Sequence, residues 1–205
     1  MSTVKRNQPT IGDWIDALRA TASLAGETSS SEHRVGPIGF LRLMGIDVPA
    51  APARDGIDES LWSATVDDSI STASIDAQIA PEGPIHPHNE DQAIELWTER
   101  ELGALHALWR LSQIRDQPHW RTRALDAARW HLRNTQPDNA TNHPWAIQVF
   151  LDLWHRDPES NEGLDARLYA ETLLHNCLTT SAKPDPLSAL ILRDAADGLQ
   201  LRCVD

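Results

Sequence analysis

The stretch from Pro144 to Arg156 constrains this chain more than any other part of it. Read as a helix, it places Gln148, Asp152 and His155 on one narrow polar stripe, because they are spaced by four and then three residues. Trp145, Ala146, Ile147, Val149, Phe150, Leu151, Leu153 and Trp154 fill the rest of the circumference. A helix apolar on so many sides is stable only when other elements cover it. The segment must therefore sit inside a layered helical body.

Its neighbours supply the layers. Segments 101–115 and 186–201 are also broadly apolar, whereas 121–134 has a single narrow apolar face. In that segment Leu125, Ala128 and Leu132 point inward, and Arg121, Asp126, Arg129 and Arg133 point outward. Segment 164–178 reads the same way, with Leu164, Leu168 and Leu174 or Ala170 inward and Asp165 and Arg167 outward. Asp91 is placed to cap a helix running through Ile94 and Trp97. Pro144 and Pro186 each follow a polar turn, and proline suits a first helical position because it has no N–H to leave unpaired. Leu105 and Ile147, Leu108 and Phe150, and Pro144 and Pro186 are pairs separated by one recurring interval, with Leu125 and Leu168 one residue further apart. Alternation of broad and narrow helices at such an interval predicts an all-α array of antiparallel hairpins, about two and a half units over residues 92–205.

The alternation, with inner segments of the type His143-Pro144-Trp145-Ala146-Ile147-Gln148-Val149-Phe150-Leu151, resembles the hairpins of α/α-toroid proteins. That group includes the six-hairpin glycosidases, sugar epimerases, polysaccharide lyases and terpenoid cyclases. The resemblance is architectural and assigns no catalytic residue. The chain is too short to close such a ring, so the resemblance implies an open array.

Residues 1–91 differ in composition. They carry six basic and fourteen acidic residues, a net of −8 out of −12 for the whole chain. They also hold the Ser/Thr/Pro/Gly-rich stretches 28–31, 48–52 and 69–74. Such segments bury too little apolar area to offset chain entropy, so 26–35 and 48–91 read as mostly loop or disordered, with a local helix near 59–65. Two short docking helices stand out. Thr10 and Asp13 form a capping-box pattern ahead of Ile11, Trp14, Ile15, Leu18, Ala22 and Ala25 on one face, giving a helix over 11–25. The second is 37–44, where Ile38, Leu41 and Leu43 surround Phe40 and Gly45 is a stop. Both are expected to pack on the body of the same chain; the alternative is that they engage a partner by a helix-in-groove mode.

Stacked hairpins would gather the starts of the inner helices on one rim: Glu99 and Glu101, then Asp138, Asn139, Asn142 and His143, then Lys183 and Asp185. Free N–H groups at those helix starts favour a carboxylate, phosphate or sugar hydroxyl, and His143 with Asp138 has the residue types of a base and its orienting partner. The same residue types also serve as plain caps and turns. Six arginines between Arg110 and Arg133 face two aspartates in an otherwise acidic chain, and Arg121, Arg129, Trp130 and Arg133 form a candidate interaction patch. His86, His88, Glu90 and Asp91 are grouped but lack the spacing of a zinc site, and Glu171 with His175 reads as an intrahelical pair, so no metal is expected. No nucleotide, hydrolase or redox motif is present, and no cofactor is implied. The negative charge disfavours nucleic acid. No apolar run reaches membrane-spanning length and no secretory signal opens the chain, so a cytoplasmic location is expected. Cys177 and Cys203 read as plain thiols. The expectation is a helical interaction module that binds a protein partner or itself. The alternative is a toroid-type enzyme or carbohydrate-binding protein with its site at the Asp138–His143 rim.

Overall fold

The computed structural model describes residues 9–26, 36–48, 56–89, 91–135, 143–179 and 181–202. The described residues form nine helices and no strand: α1 (Ile11–Ser23), α2 (Ile38–Leu43), α3 (Ile57–Val66), α4 (Thr72–Asp76), α5 (Ile94–Ile114), α6 (Pro118–Asn134), α7 (Ile147–Arg156), α8 (Asn161–Asn176) and α9 (Pro186–Arg202). None of these helices is long and apolar enough to cross a membrane.

The broadly apolar segments are the interior. In α7 every residue from Ile147 to Trp154 is buried, Gln148 and Asp152 included, and only the His155 end of the polar stripe reaches water. α7 packs on α8, α9, α6 and α5, and α5 packs on α3, α6 and α7. α6 and α8, the narrow-faced helices, touch each other as well. The helix at the start of this body lacks the side-chain cap expected from Asp91: it begins at Ile94 after Ala93 and runs on through Trp97 to Ile114.

α8 is rotated relative to the sequence reading. Leu164 and Leu168 are 38% and 61% exposed, while Gly163, Ala166, Tyr169, Ala170 and Leu173 face inward. Small residues on the inner face let the helix approach closely. At Gly163, in the turn that joins α7 to α8, a Cβ would lie 2.0 Å from the Asp157 carbonyl oxygen. Close backbone approach and the Tyr169 ring, stacked at 4.1 Å on Phe150, set the rotation that leucine periodicity alone does not.

The first part of the chain folds onto this body. Thr10 and Asp13 make the expected capping box, and α1 buries Trp14, Ile15, Leu18 and Ala22 while packing against α9. A helix of this length is marginal alone, and burying three such large side chains at ~1.5–3 kcal/mol each is what makes it persist. α2 packs on α3, and α3 on α5. Within 48–91, α3 is the local helix expected near 59–65, α4 is an additional short helix, and the other described residues are loop; yet Trp62, Ile75 and Ile85 there are fully buried. Trp62 lies 4.8 Å from the Phe40 ring and 5.8 Å from the Trp145 ring, so one core crosses the compositional boundary at Asp91.

Two arginines of the basic run fasten that crossing. Arg115 donates to the carbonyls of Ala64, Ile70 and Asp67 at 2.6, 2.6 and 2.9 Å, satisfying the end of α3 and the turn after it. Arg123 donates to Ala80, Gly83 and Pro84 at 2.7, 3.0 and 2.7 Å. Each guanidinium serves backbone that no helix or strand could satisfy.

Candidate functional site

Three of the rim residues expected from sequence meet in space: Glu99 from the second turn of α5, His143 from the approach to α7, and Asp185 from the start of α9. The Nδ1–H of His143 donates to Glu99 Oε1 at 2.5 Å, and the Trp145 indole N–H donates to the same oxygen at 2.8 Å. On the other side, His143 Nε2 lies 3.8 Å from Asp185 Oδ1, beyond direct hydrogen-bond reach. Asp185 is itself held in place by capping α9, accepting from the Leu187 and Ser188 N–H groups at 2.9 and 3.1 Å and from the Ser188 hydroxyl.

A kink presents His143. Ala146 has φ +59°, in the left-handed region that costs a residue with a Cβ ~1–2 kcal/mol. The chain therefore turns at Pro144–Ala146, and α7 starts at Ile147 instead of Pro144. The turn brings the indole of Trp145 and the imidazole of His143 onto one carboxylate oxygen of α5.

Electrostatics favour a charged imidazole. Burial opposes the charge, but the hydrogen bond to Glu99 and the charges of Glu99 and Asp185 outweigh it and hold His143 above its ordinary value. Asp58, from the first turn of α3, joins the cluster. Its Cβ sits 3.8 Å from where a Cβ on Gly103 would be, one turn along α5 from Glu99. Burial holds the Asp58 carboxyl above the usual range, partly offset by a backbone N–H and Arg100, with the Glu99 charge adding to the rise. The sequence reading passed over Asp58, although Gly56-Ile57-Asp58-Glu59 has the acidic first turn of a helix start.

The remaining candidates are dispersed. Glu101 does not face the rim: it is fully buried and accepts from the N–H groups of Ile85 and His86 at 2.6 and 2.7 Å and from His131 at 3.3 Å. Asp138, Asn139 and Asn142 lie outside the described residues; among the described residues Glu99 accepts from His143. Lys183 is exposed beside the cap. In the basic patch, Arg121 stands 5.4 Å over the Trp109 ring, and Arg129 pairs with Asp126 and Glu162 at 3.1 and 3.0 Å. Trp130 is half-buried, edge-on to Trp97 at 6.2 Å, and Arg133 is exposed.

Glu171 pairs with Arg167, at 3.3 Å. His86 and His88 are engaged through the His86 N–H to Glu101 and His88 Nε2 beside the Gln92 carbonyl, and Glu90 lies outside the described residues. Among the described residues no three His, Cys, Asp or Glu side chains gather as a metal site would need. Cys177 is buried, and burial with the Asp185 charge pushes its thiol up to about 12, so it carries no thiolate at neutral pH. Cys203 lies outside the described residues.

No protein-family model, curated protein or solved structure matches this chain. The site must be read from its own chemistry. Its central group is a proton-holding imidazole between two carboxylates, about a quarter exposed, with an indole fixing one of them.

Proposed function

We propose that this chain is a helical interaction module that binds a protein partner or a second copy of itself. The observation that carries the reading is the outward pair Leu164 and Leu168, one turn apart on α8 and both exposed; among the described residues Leu24, Val66, Ile94, Leu96, Ile114 and Leu201 are exposed elsewhere. The architecture belongs to the same reading. α7 packs on α5 and α9, with α6 against α5 and α8 against α7, contacts that support an open array of hairpins, and such arrays present surfaces to partners.

The test is Leu164→Glu with Leu168→Glu, two surface changes that leave the inward face of α8 untouched. Sedimentation equilibrium and crosslinking on the full chain read the outcome. The variant should lose a self-association or a crosslinked partner that the wild type has, with an unchanged thermal midpoint. Identical masses and identical crosslinks for the two proteins sink the proposal.

The convergence of Glu99, His143 and Asp185 favours a second reading, a site for a small polar ligand such as a carbohydrate, with His143 as acid and Glu99 as the group that orients it. Oligosaccharides titrated onto the protein should shift the His143 ring resonances, and His143→Gln should abolish binding while leaving the fold intact. Ring resonances that stay fixed through the titration exclude this reading.

A further inference from the structure

We propose that Thr135 is an acyl-accepting nucleophile, activated by a buried His131–Glu101 pair. Independent of both readings above, the proposal uses a second carboxylate–imidazole pair on the opposite side of α5.

Thr135 ends α6, four residues after His131, so its hydroxyl stands one helical turn from the imidazole. The Thr135 Oγ1 lies 3.0 Å from His131 Nδ1, and His131 Nε2 lies 3.3 Å from Glu101 Oε1. A hydroxyl, an imidazole and a carboxylate thus stand in line, each within or close to hydrogen-bond reach of the next. Glu101 also accepts from the Ile85 and His86 N–H groups. With His131 Nε2–H donating to it, the neutral tautomer turns its Nδ1 lone pair toward Thr135. The Tyr169 hydroxyl lies 3.2 Å from Thr135 Oγ1, within hydrogen-bond reach, and holds that oxygen in place.

Exposure divides the parts as a nucleophile and its base require. Glu101 and His131 have no exposed surface, whereas Thr135 is half-buried at the end of its helix. The Thr135 end of the line is the side from which an ester, and then water, would approach. A merely structural Thr135 would donate to the His131 carbonyl, 3.2 Å away, and that carbonyl competes with Nδ1 for the single hydroxyl proton.

The substrate class is an activated carboxylic ester. Thr135 Oγ attacks the acyl carbon and its proton passes to His131 Nδ1. The tetrahedral adduct then expels the alcohol, which leaves with that proton, and the acyl group stays on Thr135. Water attacks the acyl-threonine next, with His131 again taking the proton and returning it to Thr135, so that one ester and one water give one acid and one alcohol.

The experiment treats the full chain with a fluorophosphonate and, separately, with p-nitrophenyl acetate, followed by peptide mass mapping. A single adduct is expected at Thr135, retained in Thr135→Ser and absent in Thr135→Ala. His131→Gln should slow adduct formation by about 100-fold. Circular dichroism checks the fold of each variant, and Thr135→Ser keeps the test decisive where His131→Gln fails to fold. A folded wild-type chain with no adduct at Thr135 overturns the proposal, and so does equal labelling of Thr135→Ala.

Discussion

Glu99 and Glu101 stand two residues apart on α5 and meet opposite fates. Glu99 holds His143 at the surface, and Glu101 holds His131 and two backbone N–H groups in the interior. Sequence placed both on the rim because both belong to the start of one inner helix. Two residues rotate by about 200° around a helix axis, so only one of them faces the rim, and the apolar pattern of the first turn, with Ile94 and Leu96 both exposed, does not say which. His143 was legible because a histidine in the polar turn just ahead of a helix lies at that helix's end, even though α7 starts at Ile147 and not at Pro144. The surface pair yields a prediction with a definite sign. His143 is raised in the folded state, so its contribution is full below its unfolded value near pH 6.5 and is lost as pH rises through the folded value. The stability difference between wild type and His143→Gln should be widest in mild acid and shrink toward alkaline pH. Urea midpoints measured across about pH 5.5 to 9 check this, and a difference that grows with pH contradicts it.

At the scale of elements, glycine and alanine decided what leucine periodicity suggested wrongly. The rotation of α8 follows from Gly163, Ala166 and Ala170, which carry too little side chain to register as an apolar face. The α2–α3 contact shows the same principle. A Cβ on Gly39 would lie 2.3 Å from the Trp62 carbonyl carbon and 2.5 Å from the Ser63 nitrogen, both backbone atoms that cannot swing aside. Gly39 is also where Glu59 reaches across, accepting from the N–H groups of Ile38 and Gly39 at 3.0 and 3.3 Å. Gly39→Ala must separate the two helices and weaken that cap. The expected cost is ~3 kcal/mol or more, at or above the upper end for overpacking, read from chemical denaturation. A cost below ~1 kcal/mol would mean that α2 shifts freely on α3.

At the scale of the whole molecule, two features of the sequence reading meet. An acidic, polar first part and an arginine-rich run in the second read as separate regions of opposite charge. What joins them is hydrogen bonding by Arg115 and Arg123 to six backbone carbonyls, together with the burial of Trp62. Composition could not reveal this, because a carbonyl is present at every residue and carries no sequence signal. Arg115→Ala with Arg123→Ala should therefore lower amide exchange protection across α3 and α4 and around Ile85, while α7 and α8 keep theirs. Equal loss everywhere would mean that the body itself depends on the clasp. Because carbonyl dipoles are the acceptors, added salt should reproduce little of the effect.

The aromatic core also gives the molecule an optical signature. Trp62, Trp145, Phe40 and His106 lie ring to ring, with Trp62 and Trp145 tilted by 43° and fixed on elements from the two sides of the compositional boundary. Indoles held that close in an asymmetric setting couple their transitions, so the near-ultraviolet circular dichroism of this chain reports the seam between its two parts directly. A state that keeps its helices but lets the seam slide would go dark in that band while its far-ultraviolet spectrum stayed unchanged.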